Sequence, residues 1–408
     1  MSSRIPSEIV DYIVDYLHDD RLTLLACSLT ASPFLATSRL HLFSEVKLDY
    51  AGIDTFLQVL DVPYSTIAPA MRRLVIDKQK AQNTPAISSS KKREPYIPKY
   101  RANLVASLQG VQSICLSNCW LVYIPTPFWH LLSDLKGVHT LELRKFLSSS
   151  TTQFLSYVCA LPSLKTMSVS EVVWDPLRCD LESFQSQKSL AIPLLEVTKH
   201  SQYGILEWLM TQQPVPHVNT LRIVIDTVHG PVVLSTVQRY LSAVGASVQH
   251  LILDVQSGIP DLQVSSGVDF STFTNVKSIS IQNVSVSTQN LQSHRLENFL
   301  GSVFSQAKSE YLHQVNLSMS VEDTNDGFSF FGIPHDVVLQ CYNWGGLPGI
   351  LEQNLGTQLE KLNVSINNYA SYQHQTAESI LRKGPFKGFD ERGALHIDFP
   401  RFMLEEAL

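Results

Sequence analysis

The first hydrophobic pattern in the chain is a stripe at helical spacing near the amino terminus. Ile9, Ile13 and Leu17 recur at i, i+4 and i+8 behind Pro6, a residue suited to the start of a helix. Two valines between them widen the apolar arc beyond what a single neighbouring helix would cover. The pattern therefore predicts an amphipathic helix whose apolar face needs a further partner.

Two more short helices are predicted after it. The pair Asp19-Asp20 is a suitable N-cap signal for the second helix, and Pro33 marks its end because the residue before a proline is pushed out of the α region. A third helix is predicted over 35–43. Three helices in about 40 residues are too few for a stable separate domain, so a partner or the remaining chain must complete their core.

A second pattern, apolar-x-x-apolar-x-apolar, repeats through most of the remaining chain. At its fourth position, the successive steps from Ile114 to Ile279 are 27, 26, 28, 26, 30 and 28 residues, and helix-like segments lie between the copies. A short strand and a helix in each step form a unit that must stack on its neighbours to bury its faces. The alternative is an ordinary α/β domain whose strands fall at similar intervals.

Both patterns resemble known families. The stretch 5–46 resembles an F-box of the fungal branch, through its Ile-Pro opening, the block Leu24–Leu29, Phe34 where the family usually has Trp, and the closing Leu42-Phe43. The repeats resemble degenerate leucine-rich repeats, although the Asn or Cys that follows the strand in that family is present only as Cys119. The expected fold is an α/β repeat: a three-helix F-box at 1–50, followed by an irregular leucine-rich-repeat solenoid at 51–400.

The F-box resemblance implies docking on a Skp-type adaptor of a cullin–RING, or SCF-type, ubiquitin ligase. The expected adaptor contacts are Pro6, Ile9, Ile13, Leu17, Leu25 and Phe34. The repeat resemblance implies that outward-facing strand residues bind an unknown substrate protein, and these residues are Glu142, Ser168, Glu196, Arg222, Ile252 and Ser280. The alternative is a leucine-rich-repeat scaffold for protein interaction with no role in ubiquitin transfer, in which the helices only cap the repeats.

Composition narrows the choice of partners and compartment. The 408 residues are 44% hydrophobic and 17% charged with a net charge of −6, which favours a large core and argues against nucleic acid as the main partner. No apolar run reaches the length of a membrane span, and the acidic amphipathic start differs from a signal peptide. Six cysteines in this length are typical of a reduced cytoplasmic or nuclear protein rather than a disulfide scaffold.

Two segments interrupt the repeats, and neither carries a catalytic motif. A basic stretch at 77–101 predicts a disordered loop, and an aromatic-rich stretch at 318–349 predicts an irregular insertion that caps the repeats. The thirteen histidines are too widely spaced to form a local metal site, and nucleotide-binding and hydrolase motifs are missing. We therefore expect no metal, no cofactor and no enzymatic activity, while an enzyme of unknown type stays as a second alternative.

Overall fold

The computed structural model describes residues 6–62, 67–78, 101–148, 151–173, 190–198, 202–224, 230–255, 269–286, 293–307, 309–321, 335–342, 344, 346–367 and 373–400. The chain forms two compact units, residues 1–190 and residues 191–408. Each unit has a parallel sheet and helices of its own.

The first unit begins with three helices, α1 (Ser7–Tyr16), α2 (Arg21–Thr30) and α3 (Ser32–Ser44). Asp20 caps α2 as predicted, because its carboxylate accepts hydrogen bonds from the Thr23 backbone N–H at 3.0 Å and the Thr23 hydroxyl at 2.6 Å. Ala31 adopts an extended backbone, φ −157° and ψ 150°, and so separates α2 from α3. Pro33 lies in the first turn of α3, where a missing N–H is tolerated, so the third helix begins earlier than predicted.

Strands and helices alternate through the rest of the first unit. They are β1 (Glu45–Leu48), α4 (Gly52–Leu60), β2 (Arg73–Asp77), α5 (Arg101–Ser107), β3 (Ser113–Ser117), α6 (Thr126–Ser133), β4 (Thr140–Arg144), α7 (Thr151–Cys159) and β5 (Thr166–Ser170). The five strands pair in chain order, each parallel to the next. Because α3 ends at Ser44 and β1 begins at Glu45, the helices lead directly into this sheet.

The second unit continues the same alternation. Its elements are β6 (Leu194–Thr198), α8 (Gln202–Thr211), β7 (Thr220–Val224), α9 (Gly230–Val244), β8 (His250–Asp254), β9 (Ser278–Val286), α10 (Ser293–Gln306), β10 (Gln314–Val321), α11 (His335–Cys341), α12 (Leu347–Leu355), β11 (Lys361–Asn367), α13 (His374–Lys383), α14 (Lys387–Glu391) and β12 (Leu395–Asp398). Its seven strands also pair in parallel and in chain order. A bulge in β9 shifts the register against β10, and Asn283 in this bulge has a φ of 60°.

Each sheet has one apolar face and one polar face. Along β4, Leu141 and Leu143 are buried while Glu142 between them is half-buried, and β10 keeps the same alternation over its whole length. In the first unit, Leu141 lines a small apolar cavity together with Trp129 of α6 and Phe154 of α7. The helices therefore cover the apolar face of the sheet, as parallel βαβ connections require.

The expectation of a three-helix F-box domain followed by a leucine-rich-repeat solenoid is wrong. The structure is an α/β fold with an all-parallel sheet and interleaved helices, and the helices at the start lie within the first unit. The repeated pattern did mark strands, because any parallel strand pair needs a crossover connection of similar length. The regular spacing of the repeated pattern along the chain therefore could not distinguish a solenoid from the alternative α/β domain. Only Cys119 matched the Asn or Cys that follows the strand in a leucine-rich repeat.

The two segments that we expected to interrupt the repeats are only partly described. Most of the basic segment at 77–101 lies outside the described residues. The segment at 318–349 contains the end of β10, α11 and the beginning of α12, and its central residues 322–334 also lie outside. Across the described part of the chain, no helix combines the length and the apolarity needed to cross a bilayer.

Candidate functional site

The first two helices expose a large set of apolar side chains. Spacings of three and four residues place these side chains along one stripe of each helix, and the buried residues lie between them. We call this set the helical patch, and its members are Ile9, Tyr12, Ile13 and Tyr16 of α1 with Leu22, Leu25 and Leu29 of α2. Tyr16, Leu22 and Leu29 are 83%, 79% and 85% exposed, which is far more than core residues of a helical layer would be.

The core beneath these helices is small. Its fully buried members are Val14, Leu24 and Leu42, one from each helix, and Leu17 and Phe34 pack against them half-buried. Polar contacts also join α1 to α3, because Thr37 donates a hydrogen bond to Asp11 and the His41 ring nitrogen Nε2 lies 2.7 Å from Asp15 Oδ1. Two acidic side chains of α1 therefore face α3, and the apolar stripe faces solvent.

The six predicted adaptor contacts fall into two groups. Pro6, Ile9, Ile13 and Leu25 are exposed and available to a partner. Leu17 and Phe34 instead belong to the small core. Sequence reasoning missed Tyr12 and Tyr16, although both follow Ile9 at helical spacing, and did not choose Leu22 and Leu29, which flank Leu25 on the same stripe.

In the first unit, the predicted substrate contacts Glu142 and Ser168 lie on the polar face of the sheet and pair in register. Arg73 and Arg144 each bring a guanidinium nitrogen to Glu142 Oε2, at 3.0 and 3.1 Å. Arg73 also approaches Glu45 at 3.6 Å, so the ion pairs span β1 to β4. Cys115 lies between these charged strands, and burial, reinforced by the negative charge of Glu142, raises the pKa of its thiol.

In the second unit, Glu196, Arg222, Ile252 and Ser280 occupy one register row across β6 to β9. Arg222 is held by a buried carboxylate, because its guanidinium nitrogen lies 3.1 Å from Asp254 Oδ2 and Asp254 is only 1% exposed. This geometry indicates that reversing the charges of Glu142 and Arg222 would change folding as well as binding.

An amide ladder continues the polar face of the second unit. Asn316 donates a hydrogen bond to Ser280 Oγ at 2.7 Å and accepts one from the Asn363 amide at 2.6 Å. Gln314 donates a further hydrogen bond to the same Asn316 oxygen at 2.9 Å. Ser280 is therefore the end of a connected row of side chains rather than an isolated hydroxyl.

Sequence reasoning also missed an aromatic cluster at the carboxyl ends of β1 and β3. The ring centroids of Trp120 and Tyr50 lie 5.8 and 5.7 Å from that of Tyr123, and the Trp120 backbone N–H donates to the Tyr50 hydroxyl. Lys78 places its ammonium 5.8 Å from the Trp120 ring centroid. These residues are far apart in the chain, so only the parallel register brings them together.

Cys115 and Cys119 are buried thiols, and Cys27 and Cys159 are half-buried thiols. Cys119 donates hydrogen bonds from Sγ to the carbonyl oxygens of Ile76 and Ser117, at 3.1 and 3.0 Å. Burial raises the pKa of Cys119 to about 12 and that of Cys159 to about 11, which keeps both thiols protonated and unreactive at neutral pH. Within the described residues, no three histidine, cysteine or acidic side chains are arranged to hold a metal ion.

Comparison with known proteins adds no identity. No family model matches the chain, and no curated protein sequence matches it significantly.

Proposed function

We propose that this protein is the substrate-recognition subunit of an SCF-type ubiquitin ligase. In this proposal the helical patch docks on a Skp-type adaptor, in the manner of an F-box, and the polar sheet faces bind a substrate protein. The protein itself performs no chemistry. It holds the substrate close to a ubiquitin-loaded enzyme supplied by the cullin–RING complex and so raises the effective concentration of the substrate. Such a role places it in the cytoplasm, the nucleus or both.

The helical patch is the observation that carries the proposal. Burying one isoleucine or leucine side chain stabilises a complex by about 1.5–3 kcal/mol, and solvated apolar patches of this kind are uncommon unless a partner covers them. Tyr12 and Tyr16 add aromatic side chains of the type that is enriched at protein interfaces. The resemblance of 5–46 to an F-box then favours a Skp-type adaptor among the partners that could cover an apolar helical surface.

The substrate site is proposed on the polar sheet faces, and the geometry changes which residues test it. Glu142 and Arg222 are already engaged in ion pairs, so their substitution would change folding and binding together. Ser168 and Ile252 are half-buried and lie outside the ion pairs described above. Replacing Ser168 or Ile252 with a large charged residue therefore probes substrate binding in the first and second unit separately.

The decisive experiment is co-expression of the full chain with a Skp-type adaptor, followed by affinity capture. The double variant Ile9→Asp with Ile13→Asp should lose the adaptor: about half of each isoleucine is exposed, so apolar contacts worth about 1.5–3 kcal/mol together disappear and two charges would be buried. Val122→Asp is the matched control, since Val122 is 66% exposed in the same unit and lies outside the helical patch. Circular dichroism should show all three proteins folded.

The outcomes separate the proposal from its alternative. Adaptor capture by the wild type and by Val122→Asp, with loss in the double variant, would support the ligase role. A folded wild-type chain that captures no adaptor would contradict it and leave an interaction scaffold without a role in ubiquitin transfer. Capture by the double variant would show that the adaptor binds elsewhere.

A further inference from the structure

A polar recess lies at the amino ends of four parallel strands in the second unit. It has a volume of about 240 Å³ and is open to solvent. Its polar lining comes from the residues just before β7, β8, β9 and β10, together with the segments that lead to them. These residues are His217, Ser247, Gln249, Asn275, Lys277 and Tyr311.

Two backbone amides that border the recess already donate hydrogen bonds. Gln249 N–H donates to Asn219 O at 2.8 Å, and Lys277 N–H donates to Gln249 O at 2.7 Å. Ser247 Oγ donates to Val218 O at 3.0 Å and so fixes the wall of the recess. Gln249 and Lys277 can therefore hold a ligand through their side chains but not through their amides.

Four side chains are free to do this. Within the described residues, His217, Gln249, Lys277 and Tyr311 make no side-chain hydrogen bond, and each comes from the approach to a different strand. Each of them can donate a hydrogen bond, and Lys277 adds a full positive charge. None of the described lining residues is acidic, so nothing in the recess compensates this charge.

We propose that this recess binds a phosphate group. Donors on four successive segments suit an anion with several oxygen atoms, and the ammonium of Lys277 makes at least one of the hydrogen bonds charge-assisted. The recess is open, so the phosphate can be free or can be carried on a side chain of a larger molecule. This site is independent of the helical patch and of the proposed ligase role.

His250, at the start of β8, indicates the sign of the local potential. Burial lowers the pKa of His250, and the positive charges of Lys277 and His313 lower it further. His250 also contacts Ser278 Oγ through Nδ1 at 2.8 Å, so its ring is fixed beside the recess. A phosphate bound at Lys277 would offset the positive charge, and the pKa of His250 should then rise, as ring-proton NMR can measure.

The test is titration of the full chain with inorganic phosphate in a phosphate-free buffer of low ionic strength, followed by calorimetry and NMR. Saturable binding is expected, and Lys277→Gln should weaken it about tenfold because a charge-assisted hydrogen bond is lost. Lys361→Gln is the matched control, since Lys361 is an exposed lysine at the start of β11 that does not line the recess. Tyr311→Phe removes one hydroxyl from the recess and should weaken binding by a smaller factor.

Two results would overturn the proposal. The first is an absence of saturable binding up to about 10 mM phosphate. The second is equal weakening of phosphate binding by Lys277→Gln and Lys361→Gln, which would indicate diffuse charge attraction. A short polyalanine peptide with one phosphoserine distinguishes the source of the phosphate. Tighter binding of this peptide than of inorganic phosphate, with no binding of its unphosphorylated form, would assign the recess to a phosphorylated protein segment. Tighter binding of inorganic phosphate would assign it to the free anion.

Discussion

The helices at the start of the first unit and the sheet that follows them use apolar residues in opposite ways. In β3 to β5 nearly every apolar side chain at an alternating position is buried beneath helices. In α1 and α2 most large apolar side chains face solvent, and the core that they share with α3 is small, with Val14, Leu24 and Leu42 among its buried members. The same unit therefore holds one part whose apolar side chains are buried and one part whose apolar side chains face solvent.

The difference has a geometric cause. A strand in a covered sheet has two faces, and alternation assigns each residue to one of them. A helix with an apolar arc wider than one neighbour can cover must expose part of that arc. Apolar residues in such a helix therefore report on binding as well as on folding, and substitutions can tell the two apart.

The sharpest comparison is between two leucines of the first unit. Leu143 in β4 is completely buried, so Leu143→Ala should lower the free energy of unfolding by about 2–5 kcal/mol through lost burial and a cavity. Leu29 is 85% exposed, so Leu29→Ala should change the free energy of unfolding by less than about 0.5 kcal/mol. Urea unfolding measures both values. Similar losses in the two variants would mean that the helical patch is covered within the folded chain.

A smaller effect is expected at the polar face of the second unit. Arg222→Met removes a guanidinium from the buried carboxylate of Asp254 and should cost about 1.5–3 kcal/mol of stability. Arg239→Met is the matched control, because Arg239 pairs with Glu207 at 2.9 Å but is 63% exposed, and its loss should cost less than about 1 kcal/mol. If thermal or urea unfolding gave equal changes, Arg222 would be an ordinary solvated side chain open to a partner.

The smallest effect per step of the experiment is the change in stability per pH unit at alkaline pH. The folded state raises the pKa of Cys119 from its ordinary 9.0 to about 12. Below pH 9 the thiol is therefore protonated in both the folded and the unfolded state and does not change the stability. Between pH 9 and 12 the unfolded chain releases this proton and the folded chain retains it, so stability should fall by about 1.4 kcal/mol per pH unit from this group. Urea unfolding at several pH values measures the slope.

Cys119→Ser provides the control for this slope. A serine hydroxyl does not titrate in this range and can still donate to the Ile76 carbonyl, so the decline with pH should become shallower. Burial also raises the pKa values of Cys115, Cys159, Tyr50 and Tyr240, and these groups would contribute to the decline that is left. An unchanged slope in Cys119→Ser would mean that the thiol is accessible to solvent in the folded state.

The sequence predicted local features well where the signal is itself local. The cap at Asp20 depends on residues within one turn, and it was identified correctly. The apolar residues at the fourth and sixth positions of the repeated pattern, such as Leu141 and Leu251 at the fourth, do lie in strands, because alternation has a period of two whatever the fold. The number of residues between successive strands did not identify the fold, since a solenoid and a parallel sheet with crossovers both place about one helix between strands.

The candidate sites depended more on the tertiary structure. Ile9 and Ile13 were chosen as partner contacts and are exposed, but Leu17 carries the same pattern and lies in the core. Nothing in the residues near Arg222 indicated that Asp254, on the next strand, would engage it. The recess around Lys277 was also not foreseen, because its donors are separated by about 30 residues each and meet only through the parallel register.

The sequence by itself therefore determined the elements, the caps and the two faces of most strands, because backbone preference and side-chain periodicity act over a few residues. Only the tertiary structure decided the order and direction of the strands, the side of α1 and α2 that faces solvent, and the polar groups that meet at strand ends. These features depend on contacts between residues distant in the chain, and the free energy of such contacts is set by packing and register rather than by local pattern.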